Sequence, residues 1–409
     1  MKIALVSPYD FAVPGGVNNH ISHLRDNFVG LGHEVWIAAP SSRPSSHKPE
    51  ENVVPIGRAV GVPASGSVAR VALSLRLAPK VKRLLQEEQF DIVHVHEPFA
   101  PFLPFHFVRL SNAVNVATFH AAKEGGATKW YLWGHRALKR WFRRLDGKIA
   151  VSVPAMHLVS RYFPGYYNII PNGVDVEHFS QERSPIPQYD DDKLNVLFVG
   201  RLEKRKGVNY LLQAFATVKE EMPNTRLIIV GPPTRAVRGY RNWVGEKRLK
   251  DVEFIGHVSY DDLARYQHTA DIVCAPATGN ESQGIVLLEA MAAGRPLVAS
   301  NIDGYASVIT QGVEGLLVRP KDVDALAAAL LELLSDPDQR REMGEKGRQR
   351  AQEYRWDRVS QRVLTYYERL QYERKTKTRS RHSRWRPGAR SQEGMQSCSA
   401  LPPAPCPAG

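Results

Sequence analysis

The chain has 409 residues, and its Lys and Arg residues outnumber its Asp and Glu residues by 55 to 42, which gives a formal net charge of +13. This length exceeds the usual size of a single hydrophobic core and predicts two domains, while the positive charge attracts nucleic acid, anionic membranes or phosphate-bearing substrates. No apolar run reaches about 18 residues and the three cysteines form no disulfide or metal-binding pattern, so we expect no membrane-spanning helix and a reducing, cytoplasmic environment.

The first half of the chain alternates strand-like and helical patterns. Met1 leads directly into the strand-like segment Lys2–Ser7, so we expect no secretory leader. Amphipathic segments follow at Val17–Leu31 and Leu77–Glu88. The short apolar runs are Ile3–Val6, Val35–Ala38, Ile92–Val95, Val114–Thr118 and Ile149–Ser152. Strand-then-helix alternation predicts a parallel sheet with helices on both faces.

A polar, acidic connector from Pro171 to about Asp192 separates this pattern from a second one of the same kind. The strand-like runs of the second half are Asn195–Val199, Leu227–Val230, Glu253–Ile255, Ile272–Ala275 and Leu297–Ser300. Its helical patterns are Val208–Glu221, Tyr260–His268, Gly284–Ala293, Asp322–Leu334 and Trp356–Gln371. The order predicts an α/β protein with two Rossmann-like domains, whose ligands bind where the carboxyl ends of the strands meet a cleft.

The predicted divisions are a first domain at 1–172, a linker at 173–194, a second domain at 195–353, a final helix at 354–373 and a basic tail at 374–409. Between Arg374 and Glu393 the tail has eight basic residues and one acid, and little of the remainder is apolar. This composition predicts disorder. Either a solubilising tail or a loose tether to anionic lipid or RNA would account for it.

Two candidate groups lie at strand ends in the first half. Gly15 and Gly16 precede a helix, where backbone amides and the helix dipole suit a diphosphate, although Pro-Gly-Gly is also an ordinary turn. His120 ends the fourth strand and could hydrogen-bond a reacting group, with His96 as a supporting neighbour on the same strand face as His94. We expect no zinc site, because neither a helical HExxH nor a paired CxxC occurs.

The second half places charged groups at strand ends. Arg201 and Lys206 lie in the loop after its first strand, where they could clamp a phosphate. Glu281 precedes the helix that begins near Gly284, and Glu289 lies in that otherwise apolar helix. A buried carboxylate needs a partner, and a ribose diol offers two hydrogen-bond donors.

These segments resemble the family-4 glycosyltransferases of the GT-B fold, and within that family the bacterial phosphatidylinositol mannosyltransferases. The resemblance runs from Met1 to about Leu370. It rests on the motifs SPYDFAVPGGV (7–17), GHEV (32–35), GSVAR (66–70), HVHEPFAP (94–101), ATFH (117–120), IPNGVD (170–175), GRLEKRKG (200–207) and ESQGIVLLEAMAAG (281–294).

The resemblance implies a donor site in the second domain, an acceptor site in the first, and a final helix that crosses back onto the first domain. The donor, a nucleotide diphosphate sugar such as GDP-mannose, would be bound by Gly15, Gly16, Arg201, Lys206, Gly256, Val258, Glu281, Gly284, Ile285, Val286 and Glu289. The residues implied in catalysis are His120, Arg201, Lys206 and Glu281. No metal or other cofactor is implied, because Arg and Lys take the role of a cation on the leaving diphosphate. Retention without an obvious nucleophile suggests front-face attack.

The implied acceptor is a membrane lipid such as phosphatidylinositol, bound by Tyr9, Ser67, Arg70 and His120. The chain departs from the family pattern at Ala64, Ser65 and Ala121, where a tyrosine, an asparagine and a threonine are usual. A different phospholipid or glycolipid acceptor is therefore open.

A segment rich in Trp and basic residues follows His120 at Ala127–Leu145. The residues predicted to contact a membrane are Trp130, Trp133, Arg136, Lys139, Arg140, Trp141 and Arg143. Trp with Arg and Lys is typical of a helix in a lipid headgroup region, and we favour this interpretation over a helix that packs its Trp face onto the core.

Together these features predict a retaining, metal-independent hexosyltransferase at the inner face of the cell membrane, most simply a mannosyltransferase. Another nucleotide sugar or a soluble acceptor is the main alternative. A sugar-nucleotide epimerase fits the motifs poorly. Nucleic-acid binding is disfavoured because the basic residues lie on a helix and a tail rather than among aromatics on an exposed sheet.

Overall fold

The computed structural model describes residues 1–13, 15–42, 52–64, 67–100, 102–122 and 138–383, and only the backbone of residues 63, 64, 67–69, 75 and 378–383. Residues Met1–Leu370 form one compact unit, and the second unit begins at Gln371. Both α/β halves lie in the first unit, each built on its own sheet. The predicted α/β architecture with two Rossmann-like domains is confirmed.

The first sheet has, within the described residues, the strand order β4-β3-β2-β1-β5-β6-β7-β8, and only β3 and β4 pair antiparallel. Its strands are β1 Lys2–Val6, β2 Glu34–Ser41, β3 Val53–Ala64, β4 Ser67–Ala72, β5 Ile92–His96, β6 Val114–Phe119, β7 Gly147–Ala150 and β8 Asn168–Ile169. The helices beside it are α1 Gly16–Gly30, α2 Ala78–Glu88, α3 Leu103–Leu110 and α4 Val153–Tyr162. Every residue of β5 and β6 is buried, as expected for central strands covered on both faces.

The second sheet is parallel throughout its described strands, in the order β11-β10-β9-β12-β13-β14. These are β9 Leu194–Val199, β10 Thr225–Val230, β11 Val252–Gly256, β12 Ile272–Ala275, β13 Leu297–Ser300 and β14 Gly315–Val318. The helices of this half are α5 Val176–Ser180, α6 Val208–Glu221, α7 Val237–Glu246, α8 Tyr260–Thr269, α9 Ile285–Ala292, α10 Asp303–Ala306, α11 Val323–Ser335 and α12 Pro337–Ala351.

The predicted linker is part of the second core. Val176 and Phe179 of α5, together with Val174 and Tyr189, are buried in the cluster formed by the second sheet and its helices. The polar composition of this segment concealed its four apolar anchors. Fully burying one large apolar side chain contributes about 1.5–3 kcal/mol, so these residues fix where the chain enters the second domain.

The last helix, α13, runs from Trp356 to Ser383. Its residues Val359, Val363 and Tyr367 are buried in the core of the first sheet, so the helix crosses back onto the first half as predicted. Gly173 permits this crossing, because a Cβ at that position would lie 2.5 Å from the Trp356 ring.

The structure differs from the prediction at the tail and at several short elements. The last helix continues past Glu373 to Ser383, where disorder was predicted, because Lys, Arg and Glu are good helix formers even without apolar residues. The strands β3, β4 and β14 and the helix α7 were not predicted. Among the described residues, no helix is long and apolar enough to span a bilayer.

Candidate active site

A basic loop follows β9 and is held rigidly against the neighbouring strand. The loop Gly200–Gly207 contains a single 3-10 turn at Lys204–Lys206 and ends at Gly207, whose φ of +75° lies in the left-handed region. A Cβ at Gly207 would collide with the carbonyl oxygen of Pro276 after β12. Only glycine therefore allows the loop to lie this close to Pro276. The loop is thus placed at the carboxyl ends of β9 and β12.

The loop forms an ion-pair cluster with Glu281. Lys206 Nζ lies 2.9 Å from Glu281 Oε1, and Arg205 donates to the same oxygen. Arg205 also donates to Glu203 at 2.9 Å, and the half-exposed Arg201 guanidinium lies 3.5 Å from Glu203. The structure thus brings Arg201, Lys206 and Glu281 together. Arg205 was overlooked in the sequence, although it stands in the same basic run.

Glu289 lies in the second turn of α9, on the partly exposed side of that apolar helix. Burial raises the pKa of its carboxyl to about 7, while the positive charge of Lys206 acts in the opposite direction. A carboxyl with this pKa needs hydrogen-bond donors to be stably ionised. The hydroxyls of a ribose are the donors that the sequence predicted.

Two helix amino termini face each other across the cleft. A Cβ placed on Gly16, the first residue of α1, would lie 3.9 Å from Ile285 Cδ1 at the start of α9. The residues that cap these helices, Gly15 and Gly284, provide no side-chain hydrogen bond. The first N–H groups of these helices, which no capping side chain binds, and the positive ends of the two helix dipoles therefore converge where an anion would be stabilised.

His94 has a structural role. It is fully buried, with Nδ1 2.5 Å from the Tyr367 hydroxyl on α13 and Nε2 2.6 Å from Thr118 Oγ1 on β6. Burial lowers the pKa of His94 to about 3. Both ring nitrogens are thus used to join the crossing helix to the first sheet.

His96 and His120 form a pair, and His20 joins them. His96 Nδ1 lies 2.9 Å from His120 Nε2, and the His20 ring centroid lies 5.1 Å from that of His120 and 5.3 Å from that of His96. Burial lowers the pKa of His20 to about 4, opposed by its hydrogen bond to Asn172, and lowers the pKa of His96 and of His120 well below 6.5. These three imidazoles, hereafter the histidine cluster, are therefore neutral near pH 7. A ring nitrogen from each lies within 4.8 Å of the others, a spacing within reach of one metal ion, although the sequence motifs predicted no zinc site.

Glu97 holds the chain around His120. Its carboxylate accepts hydrogen bonds from the backbone N–H groups of His120 at 2.7 Å and Ala121 at 2.9 Å. Glu97 itself has a φ of +49°, which is uncommon for a residue with a side chain. The predicted site residues did not include Glu97, His20 or Asn172, although Glu97 and Asn172 lie in the motifs HVHEPFAP and IPNGVD.

The loop that carries Glu281 is joined directly to the first half. Gln283 Oε1 accepts from the Asn172 backbone N–H at 2.7 Å and from Asn172 Nδ2 at 2.8 Å, and all of these atoms are buried. The Ser282 and Ser152 hydroxyls lie 3.1 Å apart. These contacts hold the donor side and the histidine cluster close to each other.

The predicted acceptor residues lie beside β4. Tyr9 forms an isolated bridge with Val71, and the Asp10 backbone N–H donates to the Arg70 carbonyl at 2.8 Å. The Arg70 guanidinium is half exposed and lies 4.0 Å from the buried Asp10 carboxylate. Ser67 begins β4, but its side chain lies outside the described residues, as does Ser65. Arg70 is thus placed to meet an anionic group from solvent.

The predicted base-binding backbone lies at the end of β11. Gly256 has a φ of +92° and accepts at its carbonyl from the Gly231 N–H at 2.8 Å. A Cβ at Gly256 would meet nothing within 4 Å, so the space above this backbone is open. Val258 and Val286 are half-buried and pack against the core of the second half.

The predicted membrane segment is only partly described. Lys139, Arg140 and Arg143 are exposed, within and just after a helical segment at 138–142. Trp141 is half-buried and its ring meets that of Phe105 edge-on at 5.5 Å. Trp141 therefore lies as the core-packing alternative expects, while the basic residues face solvent. The predicted membrane contacts outside the described residues are Trp130, Trp133 and Arg136.

Comparison with known proteins matches both halves of the chain to glycosyltransferases. Residues 14–178 match the family model Glycosyltransferase Family 4, and residues 180–350 match Glycosyl transferases group 1. The chain is 36% identical over 372 residues to a phosphatidyl-myo-inositol mannosyltransferase of Mycolicibacterium smegmatis, covering 90% of this chain and 94% of that protein. The corresponding protein of Propionibacterium freudenreichii is 35% identical over 377 residues, with coverage of 90% and 94%. In fold, the chain is similar to a sucrose-phosphate synthase of Thermosynechococcus elongatus, with a TM-score of 0.73, 22% identity and coverage of 90% and 99%.

Proposed function

The chain is a hexosyltransferase that belongs to the family-4 glycosyltransferases, and from this premise we propose that it transfers mannose from GDP-mannose to phosphatidylinositol with retention of configuration. The observation that carries the proposal is the position of Gly16 beside Ile285, with Lys206 bound to Glu281 in the loop that leads into the same helix. A diphosphate placed there would meet backbone amides on one side and cations on the other.

The chemical requirement of the transfer is stabilisation of the departing diphosphate. Donors preorganised in a cleft stabilise developing charge without reorganising during the reaction. Arg201 and Lys206 supply positive charge, and the amino termini of α1 and α9 supply N–H dipoles. We propose that these groups make a divalent cation unnecessary for transfer.

Glu281 would change partners when the donor binds. Without donor it accepts from both Arg205 and Lys206. A diphosphate competes for these cations, which would free the Glu281 carboxylate to accept hydrogen bonds from the hydroxyls of the sugar. Glu289 would bind the ribose in the same way, and Gly256 and Val258 would lie along the base.

The acceptor hydroxyl would attack the anomeric carbon on the face that the diphosphate leaves. The bond from that carbon to the phosphate oxygen breaks as the new glycosidic bond forms, and the hydroxyl proton passes to the leaving phosphate oxygen. His120 would lie beside the sugar as a neutral hydrogen-bonding group, because burial keeps its pKa well below 6.5. Configuration is retained because both bonds are on one face.

Phosphatidylinositol supplies both an attacking hydroxyl and a phosphodiester anion. Arg70 would pair with the phosphodiester at the edge of the first sheet. The exposed Lys139, Arg140 and Arg143 would bind the anionic headgroups around it. The enzyme would thus act peripherally, at the inner face of the cell membrane.

The test presents the purified chain with GDP-mannose or UDP-glucose and with vesicles containing phosphatidylinositol or diacylglycerol. We expect a lipid product one hexose heavier, seen by mass spectrometry, with GDP-mannose and phosphatidylinositol, and unchanged yield in the presence of a chelator. Release of nucleotide without any mannosylated phosphatidylinositol would refute the proposed acceptor. Loss of transfer on chelation would refute metal independence.

A further inference from the structure

The histidine cluster has the composition of a metal site. His20 and His96 are buried, His120 is half-buried, and one ring nitrogen from each lies within 4.8 Å of the other two. Three neutral imidazoles are a known ligand set for Zn²⁺, which then keeps a fourth position for water or another ligand. The cluster lies on the first half, whereas the cations that the proposed diphosphate would need lie on the second half.

Hydrogen bonds determine which nitrogen of His20 is available. Gln283 Oε1 accepts from the Asn172 backbone N–H, so this atom of Gln283 must be the oxygen. Asn172 Nδ2 donates to the same oxygen, so Asn172 Oδ1 is the atom that lies 3.0 Å from His20 Nδ1. His20 Nδ1 therefore carries the proton, and His20 Nε2 presents its lone pair.

His96 has a nitrogen that the protein does not satisfy. His96 Nδ1 is paired with His120, but His96 Nε2 is fully buried and has no hydrogen-bond partner among the described residues. A buried polar atom without a partner is destabilising, because it has lost its hydrogen bonds to water. A cation in the cluster would relieve this deficit by binding His96 Nε2.

We propose that His20, His96 and His120 bind one late transition-metal ion, with Zn²⁺ as the first candidate. Imidazole suits this class of ion, whereas magnesium and calcium prefer oxygen ligands. Asn172 supplies the outer hydrogen bond that metal-binding histidines commonly make through their second nitrogen. Around a tetrahedral Zn²⁺ the nitrogens lie about 3.3 Å apart, so separations of up to 4.8 Å must shorten by at most about 1.5 Å, through rotation of the imidazole rings.

The bound ion would engage a nitrogen of His120. We therefore expect zinc to inhibit transfer rather than to support it, and this one consequence rests on the proposed function. Binding of the ion does not depend on the proposed function, because it can be measured without donor or acceptor.

The test uses the full chain without an affinity tag, freed of metal by a chelator and titrated with Zn²⁺ by calorimetry and with Co²⁺ by visible absorption. We expect one ion per chain and the intense visible bands of tetrahedral Co²⁺. His120→Ala, which removes a half-buried ligand, should abolish both. Asn172→Ala should weaken binding by about ten- to a hundredfold, the usual effect of losing an outer hydrogen bond to a ligand.

A matched control removes another pair of neighbouring nitrogens. The terminal amine of Met1 lies 3.1 Å from His33 Nδ1, so His33→Ala tests that pair while leaving the histidine cluster intact. We expect His33→Ala to bind Zn²⁺ as the natural chain does. Absence of stoichiometric binding, or binding kept in folded His120→Ala and lost in His33→Ala, would overturn the proposal.

Discussion

The two sides of the cleft differ in their chemistry. The second half contributes a cluster of opposite charges in which Lys206 and Arg205 meet Glu281. The first half contributes neutral imidazoles and backbone amides, with the pKa of His96 and His120 lowered well below 6.5 by burial. Under the proposed function, the second half supplies cations to the leaving diphosphate, while the first half supplies backbone amides to it and neutral imidazoles to the uncharged hydroxyls.

The largest effects are expected on the charged side. Lys206→Ala, Arg201→Ala and Glu281→Ala should each reduce the rate of transfer by about a hundredfold or more, as the loss of a preorganised charge contact in the transition state commonly does. Steady-state transfer to phosphatidylinositol vesicles measures this. Lys204→Ala is the matched control, because Lys204 is exposed in the same 3-10 turn. Equal activity of Lys204→Ala and Lys206→Ala would contradict the assigned division.

A smaller effect is expected at Arg205, which acts through Glu281 rather than on the substrate. Arg205→Ala removes one of two cations on the Glu281 carboxylate. We expect the rate to fall by about tenfold, with most of the loss in kcat, because the carboxylate is less well oriented toward the sugar. Arg205→Lys should recover part of the rate, and a loss as large as that of Lys206→Ala would place Arg205 on the diphosphate instead.

Membrane attachment should respond more weakly, because several contacts share it. Arg140→Glu combined with Arg143→Glu should reduce cosedimentation with anionic vesicles several-fold at physiological salt, since basic residues attract such a surface and salt screens that attraction. Arg341→Glu combined with Lys346→Glu makes the same change of charge on an exposed part of α12. Identical losses in the two double variants would show that net charge, rather than this segment, governs binding.

The last expected effect is on stability rather than on transfer or membrane binding. Burial raises the pKa of Glu289 from 4.5 to about 7 in the folded chain. Between these values the folded state binds a proton that the unfolded state has released, so the contribution of Glu289 to stability falls as pH rises from 4.5 to 7. Glu289→Gln cannot ionise, so its stability relative to the natural chain should rise by about 2 kcal/mol between pH 5 and pH 8. Urea unfolding at both pH values checks this, and an unchanged difference would contradict it.

The repeated alternation of apolar and amphipathic segments predicted both domains and the crossing of α13. The short or interrupted elements escaped prediction for physical reasons. The strand β3 contains Pro55, Gly57 and Pro63, which weaken a strand signal and are tolerated near the edge of a sheet. The helix α7 contains Gly239 and Gly245, which lower helix propensity.

The sequence could predict those site residues that follow the end of a strand. These residues are Gly16, Arg201, Lys206 and Glu281, and the fold brings the loops that carry them to one cleft. His20 and Asn172 could not be found in this way, because they are distant in sequence and meet through their side chains. His20 follows Gly16 by one helical turn. Its contacts with His96 and His120 exist only once α1 packs beside β5 and β6.

The central claim is that a diphosphate is held between the amides at the start of α1 and the cations after β9. A crystal structure of the chain with GDP tests this directly. We expect diphosphate oxygens within hydrogen-bonding distance of the Gly16 N–H and of both Arg201 and Lys206. A diphosphate bound without any contact to Gly16 or to these two cations would contradict the account.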